Sequence, residues 1–229
     1  MVEVYQIYPK RKRNFFSGFS ITTNLILINL LLFVVFLILI SLKILSIEVI
    51  ALNPSNILQG KYLWTFLTSM FMHGGFFHIF ANMLSLFFIG SLVERILGKK
   101  RYLWFYLLSG LFAGLFFVLL SLIWTGDLNA FAVGASGALF GLVGLLVLLT
   151  PNLPVYVMFI PIPIKMKYAG PGILIVLWLI SAAPLVVGGE QLGIGNTAHL
   201  GGLLVGLFYG IYLKNKFPNK TKRIAKQFS

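Results

Sequence analysis

Apolar residues recur along this chain in long runs, separated by short stretches that carry the charges, prolines and glycines. Six runs can be drawn, over about 22–42, 71–93, 102–124, 136–150, 171–187 and 197–213, and each predicts a membrane-spanning helix. Segment 43–70, between the first two, is only partly apolar and holds LNPSN, Tyr62 and Trp64. It reads as an interfacial or re-entrant loop. The fourth run is short, stopped by Pro151 and Pro154 and preceded by Gly134 and a Thr-Gly-Asp turn. Its roughly 15 residues, at about 1.5 Å each, reach about 22 Å, short of a hydrocarbon core of about 30 Å. Its first turn is therefore expected below the membrane surface. Residues 125–133 should then dip inward, which backbone tolerates only where it lines a watery cavity or is buried in protein.

Composition fits this pattern. The 229 residues are 59% hydrophobic and 10% charged, with mean hydropathy +0.97, whereas soluble domains carry about 25% charged residues. The absence of cysteine excludes a thiol nucleophile, a disulfide framework and a cysteine-built metal site. A net charge of +13 and a pI near 10.1 would point to nucleic acid in a soluble protein. In a membrane protein they point to cations gathered beside the cytoplasmic leaflet, and no nucleic-acid partner is expected. The first apolar run is too long for a signal-peptide core and no small-residue cleavage site follows it, so it is read as a retained span.

Charge placement orients the spans. With the N-terminus inside, sixteen of the 18 Lys and Arg fall in cytoplasmic segments. They are Lys10 to Arg13, the Arg95–Arg101 turn, Lys165 and Lys167, and the tail from Lys214 to Lys226; Lys43 and Lys61 fall outside. This asymmetry predicts both termini inside and an even number of spans.

Polar side chains inside a bilayer are costly and need a reason. The second span opens MFMHGGFFHIFANML, with His73, His78 and Asn82; His78 and Asn82 are one helical turn apart. The fourth opens GASGALFG, with Ser136, and the sixth opens GNTAHLGG, with His199. These three spans all run from outside to inside, so five polar residues from distant parts of the sequence share a depth in the outer half. The inner half shows no matching polar residues. Glycine stripes at Gly137, Gly141 and Gly144, and at Gly202, Gly206 and Gly210, permit the fourth and sixth helices to touch. That contact would bring His199 to Ser136.

A serine hydroxyl becomes a nucleophile when a base takes its proton, and histidine is the usual base. A developing oxyanion needs preorganised donors. Ser136 at a helix N-terminus offers free backbone N–H groups and the positive end of the dipole, and His78 and Asn82 can add side-chain donors. Of the five acids, Glu3, Glu48, Glu94, Asp127 and Glu190, none is placed to make a third member, so a Ser–His dyad is the economical reading. No metal or cofactor is expected.

Together the Gly-x-Ser-Gly motif at Ser136, the His-x4-His-x3-Asn motif at His73, His78 and Asn82, and the Ala-His-glycine stripe at His199 resemble those of the rhomboid intramembrane serine proteases. The resemblance spans all six runs. It implies an all-α, six-transmembrane-helix bundle with N-in/C-in topology and a partly embedded first loop. Residues 1–20 would be a basic cytoplasmic segment, 21–213 the protease domain and 214–229 a basic cytoplasmic tail. It implies hydrolysis of a peptide bond in or beside the transmembrane segment of single-span or other membrane-protein substrates. The protein would be a multi-pass cell-membrane protein, its active site opening to the extracytoplasmic side. By the same resemblance Ser136 is the nucleophile and His199 the base and acid. His78 and Asn82 stabilise the oxyanion, His73 supports the cavity mouth, Gly134 keeps room beside the nucleophile, and Phe140 packs under the base. Glu94-Arg95 matches an acidic pair at the inner end of the second span. Trp64-Thr65 departs from a Trp-Arg pair common in the family, which leaves open how the first loop is anchored.

Other readings of the same residues are an inactive rhomboid-like protein that holds membrane clients, a transporter, and a three-histidine metal site. The presence of both Ser136 and His199 argues against the first, the apolar inner half against the second, and the lack of an accompanying carboxylate against the third.

Overall fold

A computed structural model describes residues 19–123, 127–157, 161–187 and 195–228. Lys10, Arg11, Lys12, Arg13, Glu3 and Glu190 lie outside these. The chain is mainly helical. In order come α1 (Ile21–Ser41), α2 (Pro54–Leu58), α3 (Thr65–Thr68), α4 (Phe76–Ser85), α5 (Ser91–Leu97) and α6 (Lys99–Ser121). Then follow α7 (Ser136–Leu149), a two-residue hairpin of β1 (Pro154–Val155) and β2 (Ile164–Lys165), α8 (Met166–Val187), α9 (Asn196–Lys216) and α10 (Pro218–Gln227). A π-helical turn, Leu86–Gly90, joins α4 to α5. Among the described residues three helices are long and apolar enough to cross a bilayer: Ile21–Ser41, Phe76–Leu97 and Lys99–Ser121. Helix α7, and α8 over Met166–Ile180, are shorter apolar helices.

Several boundaries differ from the expected ones. The second apolar helix starts at Phe76 rather than 71, because a 3₁₀ turn (Ser69–Phe71) and the Gly74-Gly75 pair hold the chain out of helix first. His73 therefore precedes the helix. The same helix runs on to Leu97, where Gly98 at φ +80° turns the chain into α6. The third span is accordingly 99–121 rather than 102–124. Helix α9 continues to Lys216 and breaks at Pro218, whose ring fits the first turn of α10.

The start of α1 is capped twice. Ser20 Oγ accepts from Thr23 N–H at 3.0 Å. The Glu94 carboxylate, reaching across from α5, accepts from Ile21 N–H at 2.9 Å, Thr22 N–H at 2.9 Å and Thr22 Oγ1 at 2.7 Å. A buried carboxylate is stable there because it meets the orphan donors and positive dipole end of a helix.

Helix α7 lies at the centre, buried from Ala138 to Leu146, between α6 and α9. A Cβ on Gly202 would land on the Gly137 carbonyl oxygen, and one on Gly206 on the Gly141 carbonyl oxygen. On its other flank, a Cβ on Gly137 would sit 2.8 Å from Ala113 Cβ. The two stripes thus bring α7 and α9 into backbone contact.

Away from Ser136 the bundle core is not purely apolar. Thr22, Asn29 and Ser109 are buried polar side chains, and Tyr102 and Tyr106 are fully buried. The two tyrosines merge into the apolar sequence pattern, because a tyrosine counts toward hydrophobicity while bringing a hydroxyl into the core.

The first loop is anchored without an arginine. Trp64 Nε1 donates to the Val49 carbonyl at 2.8 Å, and Thr68 Oγ1 to that of Ile50 at 2.8 Å. Thr65 fills a buried position. This loop in turn holds the chain that leads to α7. Leu52 and Ala132 exchange backbone hydrogen bonds of 3.1 and 2.8 Å, and Ser55 N–H donates to Leu128 at 3.0 Å.

Candidate active site

Ser136 is the first residue of α7. The backbone before it is set by Gly134, which has φ +111° and donates its N–H to the Ser69 carbonyl at 2.8 Å. A left-handed φ of this kind favours glycine. His199 sits in the first turn of α9. Its Nε2 lies 2.7 Å from Ser136 Oγ. Ser136 is partly exposed while His199 is only 7% exposed, so the hydroxyl is reachable and its partner is sheltered.

Two features hold the His199 ring. Phe140, one turn below Ser136, stacks on it with centroids 4.6 Å apart and an interplanar angle of 23°. The α7–α9 glycine contact fixes the helix that carries it. The buried Nδ1 has no hydrogen-bond partner among the described residues. Among the described residues no carboxylate bonds to this imidazole.

His78 faces the same place from α4. Gly74 N–H donates to its Nδ1 at 3.3 Å. An imidazole whose Nδ1 accepts carries its proton on Nε2, so Nε2 is the donor. A Cβ on Gly134 would come 2.7 Å from His78 Nε2 and 3.7 Å from Ser136 Oγ. The space left by this missing side chain is therefore bounded by a donor and by the serine oxygen.

The other expected residues are placed less directly. Asn82 is buried on the next turn of α4 and donates through Nδ2 to the His78 carbonyl at 2.8 Å. One amide N–H remains, and Oδ1 has no partner among the described residues. Asn82 makes no hydrogen bond to Ser136. His73 is buried in the loop before α4, with its ring edge-on to His78 at 5.2 Å. Neither of its nitrogens has a partner among the described residues. Its contact with the site runs through the His78 ring.

Three contributors were not visible as sequence motifs. The Ser69 carbonyl and Gly74 N–H fix Gly134 and His78 through backbone atoms, which no side-chain pattern reports. Asp127 Oδ2 accepts from Thr197 Oγ1 at 3.3 Å, tying the approach to α7 to the first turn of α9, two residues before His199. Its carboxylate also sits at the positive end of α9. The Leu52–Ala132 bridge completes this strap.

Residues 60–216 match the Rhomboid domain family. RHOMBOID-like protein 1 of Arabidopsis thaliana is 38% identical over 161 residues, which is 70% of this chain and 37% of that protein. Rhomboid protease GluP of Bacillus subtilis (strain 168) is 31% identical over 160 residues, 67% of this chain and 26% of that protein. Rhomboid protein 1, mitochondrial, of Saccharomyces cerevisiae is 29% identical over 160 residues, 68% of this chain and 43% of that protein. The matched region thus spans less than half the length of each of these relatives. The apolar helices and the domain match together make this a multi-pass membrane protein, and the chain belongs to the rhomboid family.

Proposed function

We propose that this protein is an intramembrane serine endopeptidase that cuts a peptide bond in or beside the transmembrane segment of membrane-protein substrates. The observation that carries this reading is the 2.7 Å approach of His199 Nε2 to Ser136 Oγ across two helices packed backbone to backbone. The protease name of a bacterial relative supports it.

In the proposed reaction His199 Nε2 accepts the Ser136 hydroxyl proton as Oγ bonds to the scissile carbonyl carbon. Negative charge moves to the carbonyl oxygen. His78 Nε2–H, the remaining Asn82 N–H and the free backbone donors at the start of α7 are the candidate stabilisers. His199 then gives its proton to the leaving amine, and the C–N bond breaks. Water, deprotonated by the same ring, hydrolyses the acyl-enzyme and restores Ser136. The proposal includes six spans, both termini inside, and a site open to water from the extracytoplasmic side of the cell membrane.

Purified protein mixed with a model single-span substrate tests this. Cleavage by the wild type that disappears in Ser136→Ala and in His199→Ala is expected. Cleavage retained by Ser136→Ala overturns it.

A further inference from the structure

We propose that the cleft between the start of α1 and the α5–α6 turn, at the end of the bundle opposite Ser136, is a binding site for the phosphate group of an anionic phospholipid. This rests on the membrane placement of the bundle and is independent of the hydrolase reading.

The cleft has a volume of about 370 Å³ and is lined by Ser20, Ser91, Glu94, Arg95, Gly98 and Lys99. That volume falls within the range of small-molecule pockets, about 300–1,000 Å³. Its one carboxylate, Glu94, is turned toward the start of α1, where its oxygens accept from Ile21 N–H, Thr22 N–H and Thr22 Oγ1, and against the two cations Arg95 and Lys99 it leaves the cleft with a net positive charge. Arg95 and Lys99 are exposed. Among the described residues neither pairs with a carboxylate. Lys99 Nζ donates once, to the Phe19 carbonyl at 3.0 Å, which leaves two of its three donors. A guanidinium and an ammonium beside the Ser91 hydroxyl form a donor set suited to a phosphate diester, while Ser20 Oγ is engaged by Thr23.

The surroundings select a lipid over a free ion. Lys100, next to Lys99 in the chain, adds an exposed cation, whereas Arg101 lines a separate small cleft with Leu213 and Lys220. The other described acids, Glu48 and Asp127, belong to the loops at the Ser136 end. Helix α1 starts at the cleft, and its exposed Leu27, Leu31 and Val34 (47%, 64% and 50%) lie on one face. Leu27 is six residues from Ile21, about 9 Å along the axis. A headgroup seated between Arg95 and Lys99 can therefore lay its acyl chains along that face. The chain leaving α5 at Gly98 is short and rigidly turned, so both cations sit where headgroups meet the end of a spanning helix.

The sequence has no cysteine, so Lys100→Cys in a Ser136→Ala background gives a single thiol beside the cleft for a fluorophore. The labelled protein is placed in phosphatidylcholine nanodiscs. These contain equal fractions of phosphatidylglycerol or phosphatidylcholine bearing a nitroxide near the top of an acyl chain. The expected result is preferential quenching by phosphatidylglycerol, with an enrichment of about fivefold, the equivalent of one cation near an anionic surface. Arg95→Gln/Lys99→Gln should abolish the preference, Arg95→Lys/Lys99→Arg should keep it, and Lys220→Gln/Lys222→Gln/Arg223→Gln should leave it intact. Equal quenching by the two lipids overturns the proposal, as does equal loss in the tail variant, which would mean diffuse charge. Inorganic phosphate at millimolar concentration that erases the preference would make this a free-anion site and overturn the lipid assignment.

Discussion

Gly202 of α9 lies against the carbonyl of Gly137 so closely that a single added carbon would land on that oxygen. Gly137 follows Ser136, and Gly202 lies three residues after His199, so this contact sets the distance between Ser136 Oγ and His199 Nε2. Gly202→Ala must push α9 away from α7. A displacement of about 1 Å can cost about 10²-fold in rate, and a loss of this order in substrate cleavage is expected. Gly210→Ala, whose Cβ would meet the Leu148 side chain at 2.9 Å, should be milder in cleavage and in melting temperature. Equal effects of the two would show that the glycine contact does not position the pair.

His78 is expected to act through its Nε2–H. His78→Ala removes the donor and should lower kcat by about 10²–10³-fold, the effect of one oxyanion-hole donor. Asn82→Ala should lose less than Ser136→Ala, since other donors remain. A kinetic comparison on folded protein checks this, and total loss in Asn82→Ala would contradict it.

Asp127 ties the approach to Ser136 to the first turn of α9 through Thr197. Asp127→Ala should reduce kcat by a few-fold, in line with a hydrogen bond worth about 0.5–1.5 kcal/mol, with little change in KM. Thr197→Val should match it, and the double variant should lose no more than either single one. Additive losses in this double-mutant cycle would show that the two residues act separately.

Glu94 has a structural role far from Ser136. Glu94→Ala strands two backbone donors and one hydroxyl at the start of α1. Each stranded buried donor costs about 1–3 kcal/mol, so a marked drop in melting temperature is expected. Glu94→Gln, which keeps an acceptor, should fall between the two. An unchanged melting temperature in Glu94→Ala would rule out this cap as a stabilising contact.

The sequence made some of this legible and hid the rest for physical reasons. Long apolar runs mark helices because a bilayer admits little else, and the residues expected around Ser136 follow from polar side chains that apolar surroundings make conspicuous. Boundaries were harder. Gly74-Gly75 and Gly98 decide where the second apolar helix begins and ends, and hydropathy does not register backbone angles. Glu94 looked like a charge at a membrane boundary, yet its partners are the N–H groups at Ile21 and Thr22, more than seventy residues away. Asp127 lies outside the apolar runs, and its link to Thr197 appears only when the loop is folded over α9. Asn29 and Tyr106 fall within apolar runs, which hides the polar groups they bring into the core. Trp64 supplies through Val49 the loop anchor that the missing arginine left open.

The central claim is that His199 makes the Ser136 hydroxyl nucleophilic. The most direct measurement is covalent labelling of the folded, membrane-reconstituted protein by a serine-directed fluorophosphonate, with the adduct mapped by mass spectrometry. One adduct is expected, on Ser136, absent in Ser136→Ala and strongly slowed in His199→Ala at unchanged melting temperature. An adduct on another serine, or labelling of Ser136 at full rate in His199→Ala, would contradict it.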